Sequence, residues 1–165
     1  MILVIGPNNS GKSAIAENLA CRFRTPVLIY VATMVPADED GERRVLAHRT
    51  SRSGLGFLTV ESPLAELASY ADVIGPDSTV LLEDVSNLLA NLIFMGHDKD
   101  PVSTAVERIR DLESSSTNLI AVTIAGLHPE PGMDKETCAY IADLDRLNSV
   151  LIQEAEQVIR TSGGT

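Results

Sequence analysis

The stretch ILVIGPNNSGKS, residues 2–13, places an apolar run directly before a segment with no side chain suited to a hydrophobic core. Residues 2–5 are typical of a short strand that is covered on both faces. The next segment fits the pattern G-x-x-x-x-G-K-[ST], and an amphipathic helical pattern follows it. A strand, this pattern and a helix in succession predict a phosphate-binding loop. Its residues are Gly6, Pro7, Asn8, Asn9, Ser10, Gly11, Lys12 and Ser13.

The residue types of this loop suit a nucleotide polyphosphate. Glycine lets the backbone curl so that successive N–H groups point inward at a phosphate. The N-terminus of the following helix adds its positive dipole end. Lys12 then reaches the β and γ phosphates as a point charge, and the Ser13 hydroxyl coordinates Mg²⁺. We therefore predict that the segment binds nucleotide phosphates with Mg²⁺, the alternative being an inert glycine-rich turn.

Further strand-like runs follow the loop, and several are apolar throughout, which is typical of a parallel sheet with both faces covered. The strand-like runs span residues 2–6, 27–33, 57–61, 79–84, 118–126 and, more weakly, 157–163. Helical patterns lie between them at residues 12–24, about 39–50, 63–70, 85–95, 101–113 and 134–155. This alternation predicts an α/β fold with a mainly parallel sheet flanked by helices. The length of 165 residues predicts a single domain, residues 1–165.

The charge balance argues against two classes of partner. The chain carries 13 Lys and Arg against 23 Asp and Glu, a formal net charge of −10, and an acidic surface repels nucleic acid and anionic lipid. No apolar run is long enough for a membrane span or for the core of a signal peptide. The two cysteines, Cys21 and Cys138, have no metal-binding spacing. We expect a cytoplasmic protein with reduced thiols that binds neither nucleic acid nor membrane.

Two acidic residues, Glu83 and Asp84, stand where the apolar run TVLLED at 79–84 ends. A site for a nucleotide and Mg²⁺ requires a carboxylate at the end of a second buried strand. We predict that at least one of the two carboxylates serves the metal, and the sequence leaves open which one. The alternative is that both are solvated acids opening a helix, where they complement the helix dipole.

A histidine lies between two arginines in the segment ADEDGERRVLAHRTSR, residues 37–52. Arg44, His48 and Arg52 are spaced four apart and therefore share one face of a helix. Neighbouring guanidiniums disfavour the imidazolium form, and they would also hold a phosphate under attack. This setting suits a histidine nucleophile that forms a phosphoramidate. A solvated helical face that happens to carry a histidine is the alternative. His97 and His128 are expected in surface loops.

Together these segments resemble the adenosylcobinamide kinase / adenosylcobinamide-phosphate guanylyltransferase family. The resemblance is carried by the phosphate-binding loop, LIYVATM at 28–34, the acidic stretch leading to Arg44 and His48, Arg52, TVE at 59–61, and LLEDVSNLLANLIF at 81–94. It is closest from residue 1 to about residue 95 and weakens after 126. It implies a RecA-like P-loop nucleotide-binding fold and a homo-oligomer, namely a trimer.

The resemblance also implies a bifunctional enzyme of cobalamin biosynthesis. One activity phosphorylates the corrinoid adenosylcobinamide with ATP or GTP. The other transfers GMP from GTP to the resulting phosphate and releases diphosphate. The guanylyl group passes through a histidine that aligns with His48, so that His48 and Lys12 are the implied catalytic residues. The implied nucleotide contacts outside the loop are Ala32, Thr33, Met34, Arg49, Thr50, Ser51, Arg52, Glu61 and Glu83.

The chain departs from the family pattern in its second half. The run NLIAVTIAG ends in Ile124, Ala125 and Gly126, where the family usually has Asn-Glu-Val-Gly, and Asp84 replaces a common Cys. Two other hypotheses therefore stay open. One is a P-loop kinase for another small hydroxyl compound, with His48 as a bystander. The other is a nucleotide-binding regulatory protein without transfer chemistry.

Overall fold

A six-stranded sheet forms the centre of the computed structural model, which describes residues 1–35, 43, 46, 50 and 54–163. The strand order is β3-β2-β4-β5-β1-β6, and every neighbouring pair is parallel. The α/β fold with a parallel sheet is therefore confirmed. The strands are Ile2–Gly6 (β1), Val27–Ala32 (β2), Phe57–Glu61 (β3), Ser78–Glu83 (β4), Asn118–Ile124 (β5) and Gln157–Arg160 (β6).

Helices cover both faces of this sheet. The helices with complete bounds are Lys12–Arg22 (α1), Val85–Phe94 (α2), Pro101–Ser115 (α3) and Lys135–Glu154 (α4), and a 3-10 turn spans Leu67–Ser69. Ala16 and Ala20 of α1 pack with Val4, Leu81 and Val122 on one face. The other face packs against the apolar stripes of α2, α3 and α4. Burial on both faces explains why the central strands are apolar throughout.

The structure shortens several of the elements predicted from the sequence. The strands predicted to reach residues 33, 126 and 163 end at Ala32, Ile124 and Arg160, and α1 ends at Arg22. Arg43, Leu46 and Thr50 are helical, and the other residues of the helix predicted over about 39–50 lie outside the described residues. The assignment of residues 1–165 to a single domain stays a prediction.

The helix predicted over residues 63–70 is wrong, because only Leu67–Ser69 forms a 3-10 turn. Ala65 has a φ of +47°, in the left-handed region, so an α-helix cannot run through it. Tertiary hydrogen bonds hold the segment in this shape. The Ser62 N–H donates to the carbonyl of Ala32 at 3.0 Å, and the Asn91 side chain donates to the carbonyl of Pro63 at 2.9 Å.

Within the described part of the chain, none of the helices has both the length and the apolar composition that crossing a bilayer requires.

Candidate nucleotide-binding site

The phosphate-binding loop connects the end of β1 to the start of α1. Two residues of the loop have positive φ, Asn9 at +56° and Gly11 at +78°. Gly11 is the N-cap of α1, and among the described residues no side chain caps the helix there. The first N–H groups of α1 therefore have no side-chain acceptor at the cap, as an anion-binding helix terminus requires.

Lys12 is folded back over the loop. Its side chain is 8% exposed, and its Nζ donates a hydrogen bond to the carbonyl oxygen of Pro7 at 2.5 Å. Burial lowers the pKa of Lys12, while the nearby carboxylates of Asp84 and Glu83 act in the opposite direction. A buried ammonium group on a neutral acceptor is well placed to exchange that acceptor for a phosphate, because hydrogen bonds between charged groups are stronger.

Ser13 links the loop to the far side of the site. Its hydroxyl donates to the carboxylate of Glu83, the last residue of β4. Glu83 is adjacent to Ala32 across the sheet, and Ala32 is adjacent to Glu61. The last residues of three parallel strands therefore form one row at the edge of the sheet beside the loop.

Asp84 begins helix α2 rather than extending freely into solvent. It is the N-cap of the helix, and its Oδ1 accepts hydrogen bonds from the backbone N–H of Asn87 and the hydroxyl of Ser86, both at 2.6 Å. Burial raises the pKa of Asp84, while these two hydrogen bonds and the positive charge of Lys12 act in the opposite direction. The alternative that the two acids open a helix therefore holds for Asp84, which is the helix cap. Neither carboxylate is free in solvent, because Asp84 accepts from Ser86 and Asn87 and Glu83 accepts from Ser13.

Thr33 ties the end of β2 to the end of β4. Its side chain is fully buried, and its hydroxyl lies 2.9 Å from the carbonyl oxygen of Asp84 and accepts from the Asp84 N–H at 2.9 Å. Asn91 of α2 donates to the carbonyl of Thr33 at 2.8 Å. These bonds hold the backbone that carries Glu83 and Asp84 in place.

A cavity of about 440 Å³ lies between the loop and these strand ends. Val122 and Ile124 of β5, the strand between β4 and β1, form an apolar part of its wall. The residues predicted from the sequence that line the cavity are Asn8, Asn9, Ser10, Gly11, Lys12, Ser13, Ala32, Met34, Glu61, Glu83 and Asp84. The loop, both acids and the ends of β2 and β3 therefore meet in one place.

Other predicted residues lie outside this lining. Gly6 and Pro7 form the back of the loop, away from the cavity lining, and Thr33 is buried just after the end of β2. Thr50 is exposed, and its hydroxyl donates to the carbonyl of Leu46 at 2.8 Å. The remaining predicted residues lie outside the described residues: Arg44, His48, Arg49, Ser51 and Arg52.

Sequence reasoning missed several residues of the cavity wall, among them Tyr30, Thr59, Asn87, Val122 and Ile124. Tyr30 packs edge-on against Phe57, with ring centroids 6.0 Å apart and an interplanar angle of 80°. Strand alternation would have identified two of the missed residues. Tyr30 shares a sheet face with Ala32, and Thr59 shares one with Glu61, because residues two apart on a strand point the same way.

The oxygen ligands offered by the first turn of α1 and the end of β4 fit Mg²⁺. Ser13 supplies a hydroxyl and Glu83 a carboxylate, with the carboxylate of Asp84 beside them on the cavity wall. In the described ranges, no three or more His, Cys, Asp and Glu side chains cluster as an all-protein ion site. Mg²⁺ does not need such a cluster, because it commonly binds one or two carboxylates together with water and substrate phosphates.

Comparison with curated protein sequences finds no significant match. Among solved structures, the chain is similar to the flagellar accessory protein FlaH from Methanocaldococcus jannaschii, with 15% identity and a TM-score of 0.49 over 96% of this chain and 69% of FlaH. It is also similar to the signal recognition particle receptor FtsY from Elizabethkingia anophelis, determined in complex with GDP. That match has 15% identity and a TM-score of 0.41 over 96% of this chain and 39% of FtsY.

The family comparison covers essentially the whole chain. The profile of the family described as cobinamide kinase / cobinamide phosphate guanyltransferase, CobU, matches residues 2–165. This range includes the phosphate-binding loop, the acids at the end of β4 and the part of the chain after residue 126 where the resemblance weakens. The chain therefore belongs to the cobinamide kinase / cobinamide phosphate guanyltransferase family of cobalamin-biosynthesis enzymes, as its sequence predicts.

Proposed function

We propose that the chain phosphorylates adenosylcobinamide and then transfers GMP from GTP to adenosylcobinamide phosphate. The observation that carries this proposal is the meeting of Lys12, Ser13 and Glu83 at one cavity in a chain of this family. That arrangement is what a nucleotide-dependent transferase needs around a polyphosphate. We expect the enzyme to act in the cytoplasm and to assemble as a homotrimer.

The kinase step places the γ-phosphate of ATP or GTP in line with the acceptor hydroxyl. The hydroxyl oxygen attacks the γ-phosphorus, a new O–P bond forms, and the bond to the β–γ bridging oxygen breaks. Nucleoside diphosphate and a proton are released. Lys12 moves from the carbonyl of Pro7 to the phosphate oxygens and balances the charge that builds up there.

The guanylyl step uses His48 as the nucleophile. An imidazole nitrogen attacks the α-phosphorus of GTP, forming an N–P bond as diphosphate leaves. A phosphate oxygen of adenosylcobinamide phosphate then attacks the same phosphorus, the N–P bond breaks, and His48 is regenerated. The support is the spacing of His48 between Arg44 and Arg52, whose guanidiniums suit a phosphate under attack.

Other residues around the cavity position the nucleotide. We propose that Ala32, Met34 and Glu61 contact the nucleoside half of the nucleotide. They line the cavity at the ends of β2 and β3, with Met34 just after β2. Arg49, Thr50, Ser51 and Arg52 are proposed to approach the nucleotide from the segment that carries His48. Thr33 contributes indirectly, because it holds the backbone of Glu83 and Asp84.

Mg²⁺ would be held by Ser13 and Glu83 at this site, with Asp84 as the neighbouring carboxylate. When bound, it neutralises charge on the phosphate oxygens. Ser13 and Glu83 are already hydrogen-bonded to each other, so the chain itself orients both oxygen donors before a nucleotide enters.

Covalent labelling tests the guanylyl step. Purified protein is incubated with Mg²⁺ and GTP labelled on the α-phosphate, denatured, and analysed for bound label, with γ-labelled GTP in parallel. We expect acid-labile, alkali-stable label from the α-phosphate only, and none in His48→Ala. His128→Ala is the matched control, because His128 is exposed in the loop before α4 and should label like the wild type.

The same samples separate the competing functions. Adenosylcobinamide phosphate should discharge the label as the guanylylated corrinoid, which gives the substrate of the second step. Absence of label with intact transfer of γ-phosphate to a hydroxyl compound would replace the proposal with a kinase. Binding of GTP without either transfer would replace it with a nucleotide-binding regulatory protein.

A further inference from the structure

The segment that follows the last strand packs against the back of the phosphate-binding loop. The N–H of Thr161 donates to the carbonyl of Ile5 at 2.9 Å, which continues the ladder between β6 and β1 by one bond beyond Arg160. The Oγ1 of Thr161 lies 2.6 Å from the Oγ of Ser10, a residue of the loop that lines the cavity. Two residues 151 positions apart in the sequence are thereby joined at the site.

The direction of the bond between these hydroxyls follows from their other contacts. Ser10 has a single hydroxyl proton, and its Oγ donates to the carbonyl of Pro7 at 2.8 Å. The proton in the 2.6 Å contact therefore comes from Thr161. A chain of donors results, in which Thr161 donates to Ser10, Ser10 donates to the Pro7 carbonyl, and Lys12 donates to that same carbonyl at 2.5 Å.

The loop leaves room for this contact at Gly6. A Cβ placed on Gly6 would lie 2.0 Å from the Oγ1 of Thr161 and 2.7 Å from its carbonyl oxygen. No real side chain tolerates either distance. The approach of Thr161 to the loop is thus possible only because the first residue of the motif has no side chain.

We propose that Thr161 is a positioning residue for the phosphate-binding loop, acting through Ser10 on the Pro7 carbonyl that holds Lys12. Its hydroxyl fixes the hydroxyl of Ser10 and leaves the Pro7 carbonyl oriented toward both donors. The loop is then shaped for phosphate before the nucleotide arrives, which lowers the cost of ordering it on binding. Thr161 is not among the residues that line the cavity, so it would affect nucleotide affinity through Ser10 and Pro7.

This inference rests on the proposed function for the identity of the nucleotide, and its test has one arm that does not. Thr161→Ala and Thr161→Ser form a matched pair, since they differ only in the hydroxyl. Ser162→Ala is the control, because it removes a hydroxyl from the next, exposed residue. Each protein is measured for GTP binding with Mg²⁺ by calorimetry, for thermal midpoint, and for amide hydrogen exchange of residues 8–13 without nucleotide.

We expect Thr161→Ala to weaken GTP binding by roughly three- to tenfold, which is the typical net contribution of one hydrogen bond. Exchange in the loop should accelerate, while the thermal midpoint changes little. Thr161→Ser should restore both values, and Ser162→Ala should match the wild type. In the transferase assay, the KM for GTP should rise in Thr161→Ala with little change in kcat.

Two results would overturn the inference. One is a Thr161→Ala protein with wild-type loop exchange. The other is a Thr161→Ser protein as impaired as Thr161→Ala. Failure of the wild type itself to bind GTP would refute the proposed function, and the exchange arm would then decide the role of Thr161 on its own.

Discussion

The hydroxyl group of Ser13 donates a hydrogen bond to the carboxylate of Glu83, which joins the first turn of α1 to the end of β4 across 70 positions of sequence. This bond orients the two oxygen donors that we assign to Mg²⁺. Ser13→Ala and Glu83→Gln should each weaken Mg²⁺-dependent GTP binding by about tenfold or more, because contacts to charged groups contribute about 1.5–3 kcal/mol.

The measurement is a calorimetric titration of GTP at a series of Mg²⁺ concentrations. Ser149→Ala is the control, since this exposed hydroxyl on α4 donates to the carbonyl of Asp145 in its own helix. A Ser13→Ala protein with the wild-type Mg²⁺ dependence would remove Ser13 from the metal site.

Because the carboxyl group of Asp84 is buried, we expect Asp84→Asn to stabilise the protein in a pH-dependent way. An acid whose pKa is raised by folding stabilises the fold below its unfolded pKa, and this contribution is lost as the pH rises through the folded pKa. Asp84→Asn keeps an oxygen that caps α2 and removes the buried charge. The variant should therefore have the higher thermal midpoint at pH 8, and the difference should shrink as the pH falls toward the usual range of a free carboxyl group.

This difference is measured as thermal midpoints between pH 4 and pH 8, in buffer without nucleotide and metal. The series covers roughly the usual carboxyl range and the pH above it. Asp145→Asn, an exposed site on α4, should follow the wild type across the range. If Asp84→Asn is less stable at pH 8, the attraction between Asp84 and Lys12 outweighs the cost of burial.

Asn148 of α4 secures the end of β5 through two hydrogen bonds, one buried and one partly buried. Its Oδ1 accepts from the hydroxyl of Thr123, and its Nδ2 donates to the carbonyl of Ile124, both at 2.8 Å. Asn148→Ala removes both hydrogen bonds, one of them fully buried, and should lower the free energy of unfolding by about 1–3 kcal/mol. Urea denaturation gives this value.

A double-mutant cycle with Thr123→Val distinguishes the hydrogen bond from the loss of packing. The double variant should lose less than the sum of the single variants, because removing both partners leaves no orphaned hydroxyl at position 123. Strict additivity would mean that the two side chains contribute independently.

The two glycines of the loop should respond differently to alanine. Gly11 has a φ of +78°, and a Cβ added there would meet no atom of the described residues within 4 Å, so Gly11→Ala should cost only the backbone strain, about 1–2 kcal/mol. Gly6→Ala should cost more and displace the segment at Thr161, because its Cβ would collide with Thr161 backbone as well as side chain.

Urea denaturation compares the two variants, with Gly75→Ala as the control. Gly75 does not have a positive φ, and a Cβ added there would meet no atom of the described residues within 4 Å. Equal losses at Gly6 and Gly11 would show that the close approach of Thr161 relaxes at no cost.

Local sequence was sufficient for the loop and for most of the elements around it. The pattern at residues 6–13 depends on adjacent residues, because glycine, lysine and serine at those spacings build the loop from one strand end and one helix start. Apolar runs without alternation likewise indicated a parallel sheet before any pairing was known. The family resemblance followed from the same short segments.

Local sequence was not sufficient where distant hydrogen bonds override propensity. Residues 63–70 have a helical pattern, yet the bonds from Ser62 to Ala32 and from Asn91 to Pro63 hold them in a turned segment. The sequence also could not distinguish the roles of Glu83 and Asp84. Only the structure shows that Glu83 accepts a hydrogen bond from Ser13, whereas Asp84 caps α2.

The sequence by itself therefore determined the position of the loop at residues 6–13, the class of fold and the family, because each depends on residues close together in the chain. Only the tertiary structure decided what surrounds the loop: Val122 and Ile124 in the cavity wall, and Thr161 behind Ser10. The physical reason is the parallel sheet. Its strand order places the ends of distant segments side by side, and no local pattern encodes that order.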